Sequence, residues 1–116
     1  PSAGQRAELL LQKMLKLYEA GRVDVKPHTI SFNSVIAAWT KSGNALAPER
    51  TEAILRRMIE FSRQGHNDVK PDTITYASVI GAWAKSGDQL AGKKAESLLL
   101  EMLEQYNMGN RVFRRG

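Results

Sequence analysis

The sequence predicts an all-α fold, an α-solenoid of stacked helix–turn–helix repeats, and three observations carry that prediction. The first is a period of 44: residues 25–68 align with 69–112 without a gap and are identical at 20 of the 44 positions. The second is apolar spacing of three and four residues within each period, which lines one face of a helix and not of a strand. The third is punctuation, because Gly and Pro recur at matching places where helices stop and start. A helix pair this small cannot bury its own apolar face, so neighbouring units must stack, each touching the next.

The elements follow in order. Stepping back 44 from Glu52, Leu55, Met58 and Gly65 reaches Glu8, Leu11, Met14 and Gly21. Residues 6–21 therefore read as the second helix of an incomplete first repeat, a helix over 6–20 with Leu10, Leu11, Met14, Leu17 and Tyr18 as its apolar stripe. The repeat 25–68 opens with a helix from about Ile30 to Lys41, whose Phe32, Val35, Ile36 and Trp39 form one stripe. Ser42-Gly43 ends it, Gly suiting a left-handed cap and Lys41 the negative end of the helix dipole. Trp39 and Trp83 share one place in the period and read as packing residues, not platforms for a base. A second helix runs from about Pro48 to Gln64, with Pro48 in its first turn, Ile54, Leu55, Met58, Ile59 and Phe61 inward, and Gly65 as the stop. Pro71 then keeps the preceding residue out of the helical region. The repeat 69–112 follows the same scheme, its last helix at 92–108 presenting Leu98, Leu99, Met102, Leu103 and Tyr106 before Gly109. Residues 113–116 are a basic C-terminal end. Five helices result: two full repeats preceded by half of one.

Composition bounds the function. A chain of 116 residues is at most one domain, and 42% apolar content with both charge signs interspersed is globular. With no cysteine, and with His28 and His66 38 residues apart, neither a disulfide scaffold nor a structural metal is expected. No apolar run approaches the roughly 18 residues that span a bilayer, so no membrane partner is expected. Of the net charge of +5, Arg111, Arg114 and Arg115 supply three, as a loose tail against RNA or a ribosomal surface, or merely a chain end. Arg50, Arg56, Arg57, Lys93 and Lys94 interleave with Glu49, Glu52, Glu60, Glu96, Glu101 and Glu104, which predicts an outer face paired at i,i+3 and i,i+4. Nucleophile elbow, phosphate-binding loop and metal-ligand pair are all missing, so a non-enzyme without a cofactor is expected. The chain opens at Pro1 without Met and is expected to belong to a longer array.

Periods of 40–47 also suit HEAT and armadillo repeats, so the motif decides. Pro27-His28-Thr29-Ile30-Ser31-Phe32-Asn33-Ser34-Val35-Ile36 and Pro71-Asp72-Thr73-Ile74-Thr75-Tyr76-Ala77-Ser78-Val79-Ile80 resemble the opening of the pentatricopeptide repeat (PPR), and both are followed by that repeat's A-x-x-K-x-G helix end. Glu52-Ala53 with Met58, and Glu96-Ser97 with Met102, resemble its second helix. The resemblance covers residues 6–112. The unit is longer than the usual 35 or so residues, as in long-spacer variants, and the excess falls in the turn at 44–47 and the linker after Gly65.

That resemblance implies binding of single-stranded RNA along the first helices, about one base per repeat, in a mitochondrion or chloroplast, for RNA processing, stability or translation. A second stripe of the first helix, Ile30, Asn33, Ala37 and Lys41, repeats as Ile74, Ala77, Gly81 and Lys85. It offers an apolar residue to sandwich a base, a residue to read its edge and a cation for phosphate. The resemblance makes Asn33 with Asp72 a base-reading pair that favours uracil, with Ala77 and His28 at the equivalent reading positions, Ile30 and Ile74 as sandwiching residues, and Lys41 and Lys85 on phosphate. Ala77 has no edge-reading group, and the partner of His28 would lie on a first helix before Pro1, so only one complete pair is expected and binding should be weak. Plainer readings stay open: Asn33 as a first-turn polar residue, Asp72 as an N-cap, the two lysines as dipole charges. The alternative function is a protein–protein scaffold on a ribosome or other complex, using the same groove; in either case the chain is expected to act as a monomer.

Overall fold

The computed structural model describes residues 2–114, with side chains described as far as Tyr106. It is all-helical: α1 (Ala3–Glu19), a single 3-10 turn (Val23–Val25), α2 (Thr29–Ser42), α3 (Ala47–Arg63), α4 (Thr73–Lys85) and α5 (Ala91–Arg114), with no strand among the described residues.

The helix starts follow local chemistry. α1 begins three residues ahead of the expected 6 because Ser2 and Gln5 close a capping box: the Gln5 N–H donates to Ser2 Oγ at 3.3 Å, and the Ser2 N–H donates to Gln5 Oε1 at 2.8 Å. Asp72 and Thr75 close the same box on α4. The tight turns before α3 and α5 match each other, with Asn44 Oδ1 accepting from the Leu46 N–H at 2.8 Å and Asp88 Oδ1 from the Leu90 N–H at 2.7 Å. Gly43 caps α2 at φ 69°, in the left-handed region its sequence position predicts.

The end of α5 departs from expectation. It continues to Arg114, through Gly109, where the period predicts a stop. Positions 113–115 hold Phe-Arg-Arg where 69–71 hold Val-Lys-Pro, so no proline forces the chain out of the helix. A glycine alone costs a helix only about 1 kcal/mol. Of the basic end at 113–116, Arg115 and Gly116 lie outside the described residues, as do the side chains of Arg111 and Arg114.

Consecutive helices pack in chain order, and α2 and α4 also touch directly, in a flat body of 48 × 41 × 15 Å. The predicted stripe forms the core: Phe32, Val35, Ile36 and Trp39 are buried, with Tyr76, Val79 and Trp83 one period on and Ile54, Leu55, Met58 and Phe61 from α3. Each such side chain contributes about 1.5–3 kcal/mol by leaving water. His66 stacks on Phe61 at 4.0 Å and closes the end of this core. At the termini the stripe is buried in part. Leu11 and Leu98 are buried and Met14, Tyr18 and Met102 pack against the core, but Leu10, Leu99, Leu103 and Tyr106 are 42–68% exposed, because α1 and α5 have described neighbours on one side only. No helix among the described residues is long and apolar enough to cross a membrane.

The linker is tied across units. The Thr29 N–H donates to the Asp68 carbonyl at 3.0 Å, Thr29 Oγ1 donates to the Lys70 carbonyl at 2.9 Å, and the Lys70 N–H donates back to Thr29 Oγ1 at 2.9 Å. These bonds satisfy backbone groups that a loop would otherwise leave to water. They also fix where the chain enters α4 relative to the first turn of α2.

Candidate nucleic-acid interface

Asn33 lies on the second turn of α2, and Asp72 is the N-cap of α4. Because α2 and α4 lie side by side and the linker is pinned at Thr29, the two meet: Asn33 Nδ2 donates to Asp72 Oδ1 at 3.3 Å. Thr75 joins them. Its N–H donates to Asp72 Oδ1 at 2.9 Å, and its hydroxyl lies 2.7 Å from Asn33 Oδ1 and 2.9 Å from Asp72 Oδ1. The hydroxyl has one proton to give, so it serves one oxygen at a time. Thr75 is buried, so the Asn33 amide is held by a fixed residue, while one of its two N–H donors remains beyond the Asp72 bond.

Asp72 feels opposed influences. Desolvation pushes its carboxyl up, but hydrogen bonds from the Thr75 backbone and side chain and from Asn33 outweigh it and hold the carboxyl below its ordinary value. The group is thus an anion at neutral pH, positioned to orient the Asn33 amide and to cap α4.

The remaining sequence-derived candidates fall as follows. Ile30 and Ile74 are 77% and 66% exposed on the first turns of α2 and α4, both apolar side chains standing in solvent. Lys41 and Lys85 are exposed in the last turns of the same helices and have no carboxylate partner among the described residues. His28 is exposed at the N-cap of α2; the α-helix before it, beyond the 3-10 turn, is α1, so no equivalent of Asn33 faces it among the described residues. Ala77 is exposed, and its period-matched partner would be position 116, outside the described residues.

Two constellations escaped the sequence reading. The Trp39 indole N–H donates to Glu8 Oε1 at 2.9 Å, and Arg50 grips the same carboxylate, its Nε 3.1 Å from Oε1 and its Nη2 on Oε2. One period later the Trp83 indole donates to Glu52 at 2.9 Å, and Lys94 reaches Glu52 at 3.3 Å while lying 5.4 Å over the Trp83 ring. The readable signal was Glu8 and Glu52, each 31 residues before a tryptophan, with Glu96 at the same place one period on.

The expected i,i+3 and i,i+4 pairing of the outer face is corrected accordingly. Arg56–Glu52 is such a pair, but Arg50–Glu8, Lys94–Glu52 and Arg56–Glu101 join residues 42 to 45 apart. These three ion pairs join side chains of different helices, α1 with α3 and α3 with α5, across about one period of sequence.

Compared with known proteins, the chain matches no family model, no curated protein and no solved structure.

Proposed function

We propose that this chain is a single-stranded RNA-binding module of pentatricopeptide-repeat type, an α-solenoid whose first helices meet about one base per repeat. The observation that carries the reading is the bond between Asn33 and Asp72, 3.3 Å across two neighbouring first helices. A carboxylate that orients an amide while leaving it a free donor suits reading a base edge. Exposed Ile30 one turn earlier and unpaired Lys41 two turns later supply an apolar contact and a phosphate contact along the same stripe. The stacked arrangement is supported by consecutive packing in chain order together with the direct α2–α4 contact.

Uracil is the base favoured at this pair, by resemblance. A single reading pair discriminates by about 1–3 kcal/mol, by analogy with groove readout, and two lysines add little at physiological salt, so the chain binds weakly. The proposal includes no catalytic step and no cofactor. It places the protein in a mitochondrion or chloroplast, acting as a monomer in RNA processing, stability or translation.

Fluorescence anisotropy with short U-rich and A-rich strands tests it. The chain should prefer the U-rich strand, and Asn33→Ala should abolish that preference with helicity unchanged by circular dichroism. If the variant alters neither affinity nor preference, the scaffold reading replaces this one. The observation behind that second reading is the apolar pair Ile30 and Ile74, exposed along the same first-helix groove, which suits a peptide as well as a base.

A further inference from the structure

The two tryptophan constellations are copies of one joint, and the chain holds a third, open copy of its receiving half. In the first, Gly4 is buried against the Trp39 ring, so closely that a Cβ there would lie 2.6 Å from it; Glu8 accepts the hydrogen bond of the indole N–H, and Leu11 and Leu15 are 6% and 1% exposed. In the second, Pro48 is buried, Glu52 accepts the hydrogen bond of the Trp83 indole N–H, Leu55 is fully buried and Ile59 packs against the core. The third set is Gly92, Glu96, Leu99 and Leu103. There Gly92 faces open space, Glu96 is exposed with no partner among the described residues, and Leu99 and Leu103 are 46% and 52% exposed.

We infer that this face of α5 is a docking surface for one further helix pair of the same repeat class. The occupant must bring an indole N–H to Glu96 and, eleven residues later, a cation to the same carboxylate, as Trp39 with Arg50 and Trp83 with Lys94 already do. Continuity with the α3–α4 interface defines its position, and the single negative charge of Glu96 defines its electrostatic complement. A second copy of this chain does not qualify, because Trp39 and Trp83 are 2% and 5% exposed and already bonded. The inference rests on the stacked-repeat reading but not on RNA, and its test contains no RNA.

The test joins a copy of residues 25–68 directly after Val112, which reproduces the period and places the copied tryptophan 31 residues beyond Glu96. Proton exchange at the three indole nitrogens is followed by NMR, with thermal melting alongside. The copied indole N–H should exchange at least about tenfold slower than in the same chain carrying Glu96→Ala, as for a donor moved from water into a made hydrogen bond. Glu96→Ala should lower Tm by about 3 °C in the extended chain and leave the unextended chain unchanged. A copied unit that stays unfolded, an indole that exchanges as fast with Glu96 as without it, or an equal loss of Tm in both chains overturns the inference.

Discussion

Trp39 donates its indole N–H to Glu8 at 2.9 Å across 31 residues of sequence, from one unit to the helix before it. The bond recurs between Trp83 and Glu52 at the same distance and separation. It explains how a carboxylate 8% exposed is tolerated: Oε1 accepts from the indole N–H and from Arg50 Nε, and Oε2 accepts from Arg50 Nη2. Glu8→Ala should therefore cost about 2 kcal/mol, the worth of hydrogen bonds to a charged group plus the stranded donor. Urea denaturation measures it, and Trp39→Phe in the Glu8→Ala background should cost much less than Trp39→Phe alone, since the bond is already gone.

Two glycines at the same place in the period should respond with opposite signs. Gly4→Ala forces a methyl into the buried Trp39 ring and should destabilise by about 1–3 kcal/mol. Gly92→Ala meets nothing within 4 Å in a helical first turn and should stabilise by a few tenths to about 1 kcal/mol. Thermal melting of the two variants separates the effect of tertiary contact from that of helix propensity.

Acid should weaken the α2–α4 junction. The Asp72 carboxyl is held below its ordinary value, so its ionised form stabilises the fold. That contribution is complete above the unfolded carboxyl's range, about pH 4, and is lost as pH falls through and below it. Asp72→Asn keeps a capable N-cap and removes only the charge. The Tm gap between parent and variant should be open at neutral pH and close on acidification. A gap that persists at low pH would assign the loss to geometry instead.

Lys41 and Lys85 should carry the salt dependence of RNA binding. Replacing both with Ala should flatten the slope of log affinity against log salt by about 1.4, at roughly 0.7 per phosphate contact on a single strand. Base preference should be unchanged, since Asn33 and Asp72 are bonded to each other and to Thr75 and not to either lysine. Anisotropy titrations at several salt concentrations supply both quantities.

The helices, their caps and their buried faces were legible because each depends on residues within a few positions. Phe32, Val35, Ile36 and Trp39 are buried as their spacing predicts, and Gly43 takes the left-handed cap. Asn33 and Asp72 were paired through the resemblance, and they lie within hydrogen-bond distance; the part of Thr75, whose N–H holds Asp72 while its hydroxyl reaches Asn33 or Asp72 in turn, is not legible in a sequence where it looks like an ordinary capping residue. Ala77 and His28 show the limit, since half of each proposed pair falls outside the described residues.

By itself, the sequence determined the 44-residue period, the five helices and the face that each of the inner ones buries. Only the tertiary structure decided which acid meets which base, because Glu8 with Arg50 and Glu52 with Lys94 lie 42 residues apart and are joined by contact between different helices, not by helix pitch. It likewise decided that Leu55 is buried while its equivalent Leu99 stands in solvent. A period is a property of the chain, whereas burial requires a neighbour, and identical residues differ wherever one unit has that neighbour and the next does not.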